Sequence, residues 1–154
     1  MRAVLISTYD LGRQPFGLAS PAAWLRAAGW DVVCLDLAKD QFDAGRIEGA
    51  ALVGFHLPMH TATRLAGPII ARTRTLNPSA RLCAYGVYAP LNEPWLRALG
   101  VDARSAKRHL ATARSRVGLA EDGEGVAVAQ WLVTELIAPP TRALQLHLFA
   151  GGRA

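Results

Sequence analysis

Three stretches of the chain gather hydrogen-bonding side chains beside glycine and proline, and each follows a short apolar run. Residues 8–20 (TYDLGRQPFGLAS) supply Thr8, Tyr9, Asp10, Arg13 and Gln14 as polar contacts, with Phe16 and Leu18 as apolar neighbours. Gly12 and Gly17 in that stretch let backbone lie close to a ligand. Residues 57–63 (LPMHTAT) place Pro58, Met59, His60, Thr61 and Thr63 where a helix should start, and there backbone N–H groups and the helix dipole favour an anionic or polar group. Residues 85–92 (YGVYAPLN) put Gly86 at a strand end between Tyr85 and Tyr88, followed by Val87 and Asn92. Each loop also has a purely architectural reading: Asp10 can cap a turn, and Thr61 or Thr63 can cap a helix.

The sequence argues against most covalent chemistry at these loops. It has no GxGxxG after the first apolar run, no GxxxxGK[ST], no GxSxG elbow and no CxxxCxxC. A phosphate-receiving domain would end its third strand on an aspartate, whereas this chain has His56-Leu57-Pro58 there. His56 lies inside an apolar run and reads as a satisfied core histidine, which leaves His60 as the more exposed candidate. Neither has a second ligand at metal spacing, so no metal site is expected. The remaining reading is a crevice that binds rather than reacts.

Elements that could position these loops are visible as four apolar runs: AVLIST (3–8), DVVCLDL (31–37), ALVGFHL (51–57) and ARLCAYGVY (80–88). Each is continuous rather than alternating, as expected of a strand buried on both faces. Ser20-Pro21 reads as an N-cap and first-turn pair, opening a helix that Gly29 stops. Residues 60–77 form a second helix, with Leu65, Ile69, Ile70 and Leu76 on one side and Arg64, Arg72 and Arg74 largely outside. Weaker helical segments are AKDQFDAGRIEGA (38–50) and NEPWLRALG (92–100). Strand and helix in this rhythm predict an α/β, flavodoxin-like (Rossmann-like) doubly wound parallel sheet of four to five strands. In such a sheet ligands lie beyond the carboxyl ends of the strands, where all three loops fall.

With 154 residues, 51% hydrophobic and 19% charged, the chain can bury one core without staples. No apolar run approaches the roughly 20 residues of a membrane span, and Met1-Arg2 leads directly into a strand without a signal-peptide pattern. Cys34 and Cys83 lie in strand-like runs as small buried hydrophobes, so a reducing cytoplasm is expected. The net charge of +5 is concentrated in residues 104–116, where Arg104, Lys107, Arg108, His109, Arg114 and Arg116 stand without an acid. That run reads either as a solvated helix face or as a dock for an acidic partner; nucleic acid is disfavoured because no aromatic residues are interleaved. Residues 126–138 (VAVAQWLVTELIA) read as a further apolar helix, so residues 103–154 form a mostly helical tail after a domain spanning 1–102.

Residues 5–37 together with LPMHTATRLAGPII and YGVYAPLNEPWLRALGVD resemble the N-terminal cobalamin-binding domain of cobalamin-dependent radical SAM proteins. Pro15, Gly17, Leu18 and Ala19 match that family's first loop and helix. Gly29, Trp30, Val32 and Asp36 match its second strand, and Gly86 its fourth strand end. The likeness covers about residues 3–102. It implies cobalamin held against the strand ends and a radical SAM domain or chain as partner, the module being non-catalytic alone.

Departures from the family sharpen the expectation. Where methionine synthase-like domains carry a DxHxxG histidine as axial ligand, this chain has Asp10-Leu11-Gly12-Arg13, so base-off binding without that histidine is implied. Ala103-Arg104-Ser105-Ala106-Lys107 stands where a GGEFE-like segment is expected, and the cluster cysteines of a radical SAM barrel are lacking, so no iron–sulfur or SAM site is expected in this sequence. A stand-alone module, a truncated one, or a divergent or frame-shifted tail would each account for this. The alternative from another class is a degenerate flavodoxin-like interaction module acting through 104–116.

Overall fold

The computed structural model describes residues 1–102. Strands β1 (Arg2–Ser7), β2 (Asp31–Asp36), β3 (Leu52–His56) and β4 (Arg81–Tyr85) alternate with helices α1 (Phe16–Ala27), α2 (Ala44–Glu48), α3 (His60–Leu76) and α4 (Glu93–Ala98). All pairings are parallel and the order is β2-β1-β3-β4, the flavodoxin-like doubly wound arrangement whose switch in strand order falls between β1 and β3. Asp102 pairs with Cys83 in parallel, accepting from the Ala84 N–H and donating to the Leu82 carbonyl, so the chain enters a fifth position beside β4. Residues 103–154, which include the basic 104–116 segment and the 126–138 stretch expected to be helical, lie outside the described residues.

Continuous apolar strands follow from burial on both faces. Val4, Ile6, Val53, Phe55, Leu82 and Ala84 pack with Ile47 of α2, Ala66 and Ile70 of α3 and Leu96 of α4. On the opposite face Ala3, Leu5, Val32 and Leu52 pack with Leu18, Ala22 and Leu25 of α1. Each large side chain buried this way contributes about 1.5–3 kcal/mol.

The helices depart from expectation in three places. α1 begins at Phe16, not at Ser20-Pro21, and Pro21 sits inside it. Proline has no N–H to donate to the carbonyl four residues back, which here is Gly17; the buried Tyr85 hydroxyl donates to that oxygen instead, at 2.9 Å. α2 is only Ala44–Glu48, because the Asp43 side chain accepts from the Arg46 N–H and starts the helix there. α3 buries Ala62, Thr63, Ala66, Ile70 and Thr73, while Leu65 stays exposed: small residues face the sheet so that the helix can lie close to it. Asn77 ends α3 while buried, its amide donating to the carbonyls of Ile47, Glu48 and Ala50 and its oxygen accepting from Ser79 and Ala80.

Candidate functional site

The last residue of each strand lies on one line. Ser7 is the register partner of both Asp36 and His56, and His56 is the partner of Tyr85. Register partners in a parallel sheet share a face, so Asp36, Ser7, His56 and Tyr85 form a row across the carboxyl edge on the side that α1 covers. The row holds a carboxylate, a hydroxyl, an imidazole and a phenol.

The first turn of α1 covers the middle of this row. A Cβ built on Gly17 would collide with the His56 ring, so only glycine lets the turn seat there. The imidazole also lies against the Tyr85 ring, centroids 5.3 Å apart and planes tilted by 32°. His56 Nδ1 is buried without a hydrogen-bond partner, and so is the Ser7 hydroxyl. The expected satisfied core histidine is therefore corrected: His56 is half-buried at the mouth of the sheet with an unpaired nitrogen, a state that most native polar groups avoid. Burial pushes its pKa down, and the Asp10 carboxylate partly opposes this. Burial, reinforced by the nearby Cys83 and Cys34 thiols, pushes the Tyr85 phenol well up, so it stays a proton donor to Gly17.

Around the row the three loops are tied together by backbone. After β1, the Arg13 N–H donates to the Asp10 carbonyl at 2.8 Å across Leu11 (φ 49°) and Gly12 (φ 70°), the two positive dihedrals of a type I′ turn. Leucine in this left-handed conformation is strained by about 1–2 kcal/mol, and here it holds an exposed apolar side chain at the loop tip. Thr8, buried, donates its hydroxyl to the Ala62 carbonyl at 2.8 Å and ties this loop to α3. The loops after β3 and β4 meet at Leu57, whose N–H donates to the Tyr85 carbonyl and whose carbonyl accepts from the Tyr88 N–H. Gly86 (φ 100°) passes so near that a Cβ would fall 2.7 Å from the Leu57 oxygen.

The candidate residues thus divide. Gly17, Tyr85 and Gly86 stand at the row, and Tyr9 and Asp10 are half-buried beside it. Gly12, Arg13, Gln14, Phe16, His60, Thr61 and Val87 are exposed around it, with Pro58, Met59 and Tyr88 partly covered. Leu18 belongs to the core, the Thr63 hydroxyl donates to the Met59 carbonyl, and the Asn92 amide donates to the Tyr88 carbonyl, so these three serve the fold. Ser7, His56 and Asp36 were not singled out as site residues; counting in twos along each strand from its apolar residues to its last would have placed them on one face.

A cleft of 420 Å³ lies between α1 and the outer strand β2 and adjoins the row at Asp36, with Gln14, Leu18, Arg26, Cys34 and Lys39 also among its walls. Burial pushes the Cys34 thiol up, against an opposing pull from Arg26. Among the described residues no three His, Cys, Asp or Glu side chains converge as a metal cluster, and no helix is long and apolar enough to cross a membrane.

No protein-family model matches the chain, and no curated protein does. A solved flavodoxin-like domain from Synechococcus sp. is similar at 14% identity, covering 95% of this chain and 97% of that chain with a TM-score of 0.48. The fold assignment rests on the strand order itself.

Proposed function

We propose that this domain binds cobalamin at the carboxyl edge of its sheet, base-off and without an axial histidine from the first loop, as a module that serves a radical SAM partner domain or chain. The observation that carries this reading is where apolar surface is left exposed. Apart from Met1 at the start of the chain, the large apolar side chains more than half exposed among the described residues are Leu11, Phe16, Val87 and Leu91, and they lie on the segments that follow β1 and β4 or at the helix start that closes the first of them. An apolar rim at the crevice end of a doubly wound sheet suits a broad, flat ligand with apolar faces. The ligand's polar edge would meet Gln14, His60 and Thr61, whose side chains are exposed.

The loop fits the group in one further respect: the type I′ turn holds Leu11 outward at a cost in strain, adding to the apolar rim. When bound, the cofactor would supply alkyl-group transfer or radical rearrangement to the partner's substrate. This chain's own part is to bind and orient.

The test is to mix the full chain with hydroxocobalamin and pass it through gel filtration. Corrin absorbance should elute with the protein at about one per chain, with shifted bands. Phe16→Asp should weaken binding by about tenfold or more, since it removes apolar contact at the rim. Corrin that elutes entirely with the small molecules at micromolar protein would overturn the reading.

A further inference from the structure

We infer that the first turn of α1 is a hinged cover that opens over Ser7 and His56 while the rest of the sheet stays folded. Four observations place the hinge, the latch, the seat and the reason to open. Pro21 removes the helical bond that would tie residue 21 to Gly17, so the turn carrying Phe16 and Gly17 is joined to the remaining helix by one bond fewer. The freed Gly17 carbonyl accepts from the Tyr85 hydroxyl, a side chain of β4 rather than of the helix. The turn is therefore held from across the sheet.

The seat is the His56 ring, on which only a residue without a side chain can rest. Beneath it the Ser7 hydroxyl, fully buried, and His56 Nδ1 have no partners. Closure leaves both unpaired, and opening would give both to water or to a ligand's hydrogen-bonding group. Burial of Leu18 and the Tyr85 bond pull the other way. Opposing terms of this kind make opening of this turn cost less than global unfolding. The inference does not depend on which ligand the shelf takes.

Two readouts on the full chain without ligand test it: amide exchange at Ala19 and Ser20, and the rate at which diethyl pyrocarbonate modifies His56, with Leu5 and Val53 amides as reporters of the sheet. Tyr85→Phe removes the latch and should speed first-turn exchange and His56 modification together, about fivefold to tenfold. Pro21→Ala restores the helical N–H and should slow both by a similar factor. The sheet amides should not change in proportion. If exchange at the first turn changes while His56 reactivity does not, the helix end merely frays and the cover is refuted. If first-turn and sheet amides move by the same factor, opening is global and the inference is equally refuted. Should Pro21→Ala fail to fold, the paired response to Tyr85→Phe decides alone.

Discussion

Gly17→Ala and Gly45→Ala are the same substitution in two helices, and the structure assigns them opposite signs. At Gly17 the added methyl falls within the His56 ring, so either the imidazole or the helix turn must move. Overpacking of this kind costs about 1–3 kcal/mol, and a turn pushed outward also weakens the Tyr85 bond, worth about 1 kcal/mol. The stiffer unfolded chain returns about 0.4–1 kcal/mol, which leaves a net loss near 2 kcal/mol. At Gly45 the nearest atom to a new Cβ is the Asp43 carboxylate oxygen at 3.6 Å, an ordinary contact, so alanine there should be neutral or stabilise by up to about 1 kcal/mol. Urea unfolding measures the free-energy change in both variants, and thermal unfolding should show a fall in melting temperature of about 10 °C for Gly17→Ala alone. In a His56→Ala background the cost of Gly17→Ala should drop below about 0.5 kcal/mol, because the obstructing ring is gone. An undiminished cost in that background would mean that the loss does not arise at His56.

Three further outcomes follow from the same structure. Because burial holds the folded-state pKa of His56 below its unfolded value near 6.5, the unfolded chain binds more protons in the window below 6.5, and stability should fall as pH drops through it. The groups facing His56 are Asp10 after β1, Ser7 on β1, Tyr85 on β4 and the Gly17 backbone of α1; His56→Gln should flatten this part of a urea-midpoint profile from pH 8 to 5, and an unchanged slope would contradict the assignment. Asn77→Ala strips the bonds to Ile47, Glu48 and Ala50 at a buried site and should cost about 3 kcal/mol in the same assay; a loss under about 1 kcal/mol would show that the site tolerates their removal. A disulfide reagent should modify half-buried Cys34 in the native protein but reach Cys83, fully buried and with its thiol pushed far up, only on unfolding; equal rates at the two would be inconsistent with these environments.

The sheet was legible because strands buried on both faces have only one sequence appearance, an unbroken apolar run, and the four runs coincide with β1 to β4 within a residue or so, except that the last ends at Tyr85 where Gly86 turns. The start of α1 was not legible. Ser20-Pro21 has the form of a helix start, and what permits proline inside the helix is a hydroxyl 68 positions beyond the carbonyl it satisfies. The α3 stripe misled for a related reason: apolarity pointed to Leu65, but the close approach to the sheet selects Ala62 and Ala66. At the site, the loops and their glycines were visible as composition, whereas the role of His56 depended on strand register. VGFH looks like core until Ser7, Asp36 and Tyr85 are aligned beside it.

Residue-resolved chemical-shift mapping of the full chain on addition of hydroxocobalamin decides whether a flat cofactor lies on the shelf formed by these loops. Perturbations are expected to concentrate at residues 8–17, 57–61 and 85–92 and to saturate at one cofactor per chain. Shifts scattered over the surface, confined to residues 19–40 that line the cleft beside β2, or absent at saturating cofactor would contradict this placement.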